Sequence, residues 1–85
     1  MRRSSYIAIK VVGAVYGALE GSMDATEVVQ SLIDKGYLTF TADNSMLGKD
    51  PASGYGKHFG LVYSNDANQI KTVACAEGQT VNITP

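Results

Sequence analysis

Eighty-five residues, 45% hydrophobic and 18% charged, have the balance of one small globular domain rather than of a disordered chain. The formal charge is -1 and the basic residues are scattered, which argues against nucleic acid as a partner, because phosphate neutralisation needs clustered Lys and Arg. A lone cysteine, Cys75, excludes an intramolecular disulfide and a cysteine-rich zinc site.

Residues 1–5 form a basic N-terminal arm carrying Arg2 and Arg3. The run "YIAIKVVGAVYG" at 6–17 is rich in β-branched and aromatic residues and reads as one long strand. A period of two puts Ile7, Ile9, Val11 and Val15 on one face, with Lys10 and Tyr16 on the other. Gly13 predicts a bulge or a bend within it. Lys10 interrupts the run and no A-x-A cleavage site comes after it, so the strand is preferred over a secretory signal. The apolar stretch is also shorter than the ~20 residues a membrane span needs. A cytoplasmic location is favoured, with secretion as the alternative.

"GSMDATEVVQSLIDKGY" predicts a helix over 25–35. Ala25, Val28, Val29, Leu32 and Ile33 recur on one face, Asp24 and Glu27 have the spacing of a capping box, and Gly36 is placed to end it. Burying each aliphatic side chain contributes ~1.5–3 kcal/mol, so this helix is expected as a lid on a sheet. "YLTFTA" at 37–42 alternates, with Leu38, Phe40 and Ala42 inward. After a long connection, "HFGLVYS" at 58–64 alternates with Phe59, Leu61 and Tyr63 on one face, "SNDAN" marks a hairpin turn, and "QIKTVACA" and "TVNI" read as two further strands. The expectation is an α+β, mainly β domain over 1–85: a small antiparallel sheet or sandwich of about five strands, with one helix between the first two.

The connection "MLGKDPASGYGKH" at 46–58 is the richest in chemically capable residues. A phosphate loop would need glycine where Pro51 stands and Ser or Thr where His58 stands. A calcium loop starting at Asp43 fails at Leu47 and Gly54, so Asp43, Asn44 and Asp50 are expected to make turns. His58 and Cys75 are the one candidate base and nucleophile, with no third group to orient them, and no enzyme or cofactor is expected. Tyr55, Lys57 and His58, joined by Lys10 and Tyr16, are the side chains suited to contact a ligand or partner. Asn82-Ile83-Thr84 has the form of a glycosylation site, relevant only to a secreted chain.

The segments "AVYG" (14–17), "DATEVVQSLIDKG" (24–36), "LGKDPASGYGKHFGLVYS" (47–64) and "EGQTVNI" (77–83) together resemble a family. It is the β-rich domain of unknown function found at the C-terminus of a mitochondrial DnaJ-type co-chaperone and in fungal and bacterial proteins. The resemblance implies a compact β-rich accessory module and carries no binding residues with it. The sequence thus reads as a non-enzymatic protein-interaction or self-assembling module. Its partner is a protein, itself included, joined as a homo-oligomer or filament through the edges of strands 6–17 and 80–83. A small-ligand or carbohydrate-binding module using the 46–58 loop is the alternative.

Overall fold

The computed structural model describes residues 8–85, so Arg2, Arg3 and Ile7 lie outside the described residues. The chain forms β1 (Lys10–Ala18), β2 (Gly21–Asp24), α1 (Thr26–Asp34), β3 (Thr39–Thr41), α2 (Asn44–Leu47), β4 (His58–Ser64), β5 (Ile70–Ala76) and β6 (Thr80–Asn82). Two hairpins, β1–β2 and β4–β5, join through an antiparallel β1–β4 pairing into a four-stranded sheet of order β2-β1-β4-β5. Strands β3 and β6 make a separate antiparallel pair. The result is a small α+β domain, mainly β. Among the described residues, no helix is long and apolar enough to cross a membrane.

One face of the sheet carries the core. Tyr16, Phe59, Leu61 and Tyr63 from the sheet meet Val29 and Ile33 of α1, and Phe40 and Val81 of the β3–β6 pair. Phe40 stands edge-on to Phe59 with ring centroids 6.0 Å apart, a favoured aromatic geometry. The Tyr63 hydroxyl accepts from the Thr84 amide at 3.0 Å, tying the end of the chain to the sheet.

The long first strand keeps its identity but not its predicted faces. Pairing with β4 slips between Val11 and Gly13, a bulge at the position where glycine suggested one. One inserted residue moves every later side chain to the opposite face. Val11 points inward, but beyond the bulge Ala14 and Tyr16 are buried, and Val15 is 51% exposed. The expected inward Val15 and outward Tyr16 are therefore exchanged. The strand also turns sharply at Leu19 and Glu20 into β2, a hairpin that no Asn-Gly or Asp-Gly announces in the sequence.

Helix α1 begins one residue later than predicted, and Asp24 is not its cap. The position before the helix is Ala25, which has no side-chain cap bond. Asp24 ends β2, and its carboxylate accepts from the Thr26 amide at 2.9 Å. Bonding to the Thr26 hydroxyl and amide holds that carboxyl below its ordinary range. Gly36 closes the far end as expected, with φ 94° and its amide on the Ile33 carbonyl at 2.9 Å.

The helix does more than cover the sheet. Because β2 pairs only with residues 15–18 of β1, the earlier part of β1 has a free edge, and polar side chains of α1 bond to it. Gln30 accepts from the Val11 amide at 2.7 Å and donates to the Ile9 carbonyl at 3.1 Å. The Thr26 hydroxyl accepts from the Ala14 amide at 3.1 Å. Gln30→Ala is expected to destabilise the fold by ~1–3 kcal/mol, since two strand backbone groups lose their partners. Chemical denaturation measures it, and an unchanged midpoint would show that water replaces the amide.

Candidate functional site

The 43–57 connection folds inward upon one lysine. Asp43 caps α2 by accepting from the Met46 amide at 2.8 Å. Gly48, at φ 82°, ends that turn of helix, and Asp50 accepts from the Ala52 amide at 3.2 Å. Leu47 and Ala52 drop into the interior. Lys57 goes in after them and is only 4% exposed. Its Nζ lies 3.0 Å from Asp50 Oδ1 and 3.5 Å from Glu77 Oε1, and donates to the carbonyls of Ala52 (3.1 Å) and Tyr55 (2.8 Å). Burial pulls the ammonium's pKa down, but the bonds and charges of Asp50 and then Glu77 outweigh it, and the net direction is up.

Five residues stand out in the sequence as contacts, and the structure does not gather them into one surface. Lys57 is enclosed by its own loop. Tyr16 is fully buried, its hydroxyl donating to Asn44 Oδ1 at 2.6 Å. Burial, then the charge of Glu77, pushes that phenol up to about 12. Tyr55 remains half-exposed on the loop. Lys10 and His58 are both exposed but lie at opposite ends of β1, opposite Ser64 and Gly17 respectively, about 23 Å apart at strand rise. His58 and Cys75 are not brought together either. Cys75 pairs with inward Phe59 and His58 with Ala76, so the two side chains leave opposite faces of the sheet. Burial pushes the Cys75 thiol up, which keeps it protonated.

The more distinctive surface is the sheet face turned away from the core. Beyond the bulge, Val15, Val62 and Ala74 line it, with Val12 62% exposed at the bulge itself. Gly13 and Gly60 carry no side chain there, leaving an open depression of about 790 Å³ over mainly apolar lining. A second depression of about 350 Å³ lies at the His58 end, beside Gly17 and Ser22.

The edges of this sheet are treated unequally. The β2 edge is approached by the 46–58 loop, since a side chain at Gly21 would run into the Pro51 carbonyl oxygen. The free part of β1 is bonded by α1. Of the two edges predicted from the sequence, β1 lies inside this sheet, between β2 and β4, while β6 belongs to the other sheet, where β3 covers one of its two sides. The open edge of the four-stranded sheet is β5. The Asn65 amide bonds the Gln69 carbonyl and the Glu77 amide bonds the Lys57 carbonyl, which fixes the alternation of the β4–β5 ladder. Residues 69, 71, 73, 75 and 77 bond to β4, and the backbone groups of residues 70, 72, 74 and 76 point outward. Ala76 is satisfied by Gln79, through the side chain at 2.7 Å and the backbone at 3.1 Å. Among the described residues, nothing pairs with the N–H and C=O groups of Ile70, Thr72 and Ala74. No family model, curated protein or solved structure matches this chain.

Sequence reasoning misses this surface because "IKTVACA" gives no polar alternation to say which face is wet. The signal it does hold is the near absence of charge: Lys71 is the strand's one charged residue, where protected edges usually carry more.

Proposed function

We propose that the protein is a non-enzymatic interaction module that binds an extended protein segment by strand addition along β5. The support for this reading is the run of three outward N–H and three outward C=O groups at Ile70, Thr72 and Ala74, on an edge adjoining an apolar face. An added strand obtains its affinity from such main-chain groups and its selectivity from neighbouring side chains. The sugar- or small-ligand reading of the 46–58 loop has less to draw on, since Lys57 is turned inward and Tyr16 is buried, which leaves Tyr55 as the exposed ring of the pair.

Titration of isotope-labelled protein with a short, capped, alternating Val–Thr peptide tests it. The amides of Ile70, Thr72 and Ala74 are expected to shift and to gain protection from hydrogen exchange. Shifts confined to the surroundings of Tyr55 and His58 would overturn strand addition and favour the loop.

A further inference from the structure

We propose that the strand received by β5 is the β5 of a second copy, paired antiparallel about a two-fold axis through Thr72. This deepens the strand-addition reading and rests on it. The open groups are themselves symmetric about Thr72, since Ile70 and Ala74 stand two residues to either side. In a pairing centred there, Ile70 exchanges two hydrogen bonds with Ala74 of the second copy, Ala74 does the same with its Ile70, and the two Thr72 residues exchange two more. Every unpaired backbone group of the edge is then used, and none already bonded to β4 or Gln79 has to be released.

The side chains select the same register. Lys71 is the edge's one charge. A two-fold axis through Lys71 sets the lysines directly opposite each other, which like-charge repulsion disfavours. An axis through Val73 or Ala74 needs backbone groups of Ala76 that Gln79 already holds. Centring on Thr72 places Lys71 opposite Val73 of the second copy and joins Ile70, 63% exposed, to Ala74 on the outer face. Two four-stranded sheets become one of twice the width, with the apolar faces continuous. A contact of one short strand pair is smaller than the ~1,200 Å² of stable interfaces, so association is reversible and concentration-dependent.

Sedimentation velocity from about 10 µM to about 1 mM, near the affinity range of such contacts, is expected to show a mass rising from 9.0 kDa towards twice that value. Thr72→Pro removes an outward N–H without touching the β4 ladder and should hold the mass at that of one chain, with unchanged circular dichroism. Register is read by cross-linking in a Cys75→Ser background. Thr72→Cys is expected to oxidise to a covalent dimer, because directly bonded pairs have Cα atoms ~5.5 Å apart, within disulfide range. Ile70→Cys and Ala74→Cys should each fail alone, with identical positions roughly 14 Å apart along the strand, and should cross-link when mixed. A single chain at every concentration, with the Val–Thr peptide still protecting the β5 amides, would overturn self-pairing and leave strand addition standing. If neither occurs, both readings fall. A dimer unaffected by Thr72→Pro would overturn the choice of edge.

Discussion

Gly17→Ala is expected to lower stability by ~3 kcal/mol or more, which for a domain of this size depresses the melting temperature by roughly 12–24 °C. Gly17 faces Ser22 across the β1–β2 hairpin and His58 across β4. A Cβ built there falls onto the Gly21 carbonyl oxygen and Ser22 Cα, and comes 2.7 Å from Ser22 Cβ. Two of those three atoms are backbone of the partner strand, so no rotamer change makes room. The hairpin has to open, and the damage spreads: Met23 packs against the core from β2, and the Pro51 carbonyl sits over Gly21. Gly13→Ala is the matched control, since a Cβ at Gly13 meets nothing within 4 Å, and it should shift stability by no more than about 0.5 kcal/mol. Thermal melts by circular dichroism separate the two. A Gly17→Ala protein melting within a few degrees of the parent would mean that the hairpin is not part of the cooperative fold.

These two glycines also mark where the sequence can and cannot be read. Period-two alternation places Phe40, Ala42, Phe59, Leu61 and Tyr63 inward, and all are buried. Alternation works there because each strand is regular across its length. It fails on β1 after Val11, although Gly13 signals the bulge, because a bulge reverses the faces of all later residues and only the partner strand shows which residue is inserted. The β1–β2 hairpin is invisible for a related reason. Leu19 and Glu20 carry no turn chemistry, and the glycine that allows the hairpin, Gly17, precedes the turn and acts through close approach.

Helix α1 is legible from its apolar stripe, and Val29 and Ile33 are its buried residues. Periodicity alone assigns its polar residues to solvent. Gln30 and Thr26 instead complete β1, a long-range use that helical periodicity does not encode. The candidate site is less legible still. A lysine, a histidine and a tyrosine close in sequence invite a ligand, yet a lysine with two carboxylates within reach is drawn inward to them. The open edge depends on strand order, and order is set by which hairpins pair. Nothing local to residues 70–76 states that β5 lies outermost.

Lys57→Met is expected to lower the melting temperature at neutral pH by roughly 10 °C. The ammonium gathers four acceptors, two carboxylates and the carbonyls of Ala52 and Tyr55, and a thioether can donate to none of them. The loop loses its internal anchor, while Asp50 and Glu77 keep their charges beside each other. The pH dependence distinguishes this from a simple packing defect. Lys57 holds its proton above the ordinary 10.5 in the folded chain, and Tyr16 is raised from 10.0 to about 12, by burial first and then by Glu77. Folded-state values above unfolded ones mean that the native state binds these protons more tightly. The stability they contribute is fully present below pH 10, and is lost as the pH rises through 10 to 12. The parent protein should therefore show a level melting temperature up to about pH 10 and a steep fall beyond it. Lys57→Met starts lower and falls less steeply, and Tyr16→Phe, which has no proton to lose, also flattens the alkaline slope. Melts between neutral pH and pH 12 for the three proteins decide the matter. Three parallel alkaline limbs would place the pH sensitivity elsewhere and remove the Lys57 network as the loop's anchor.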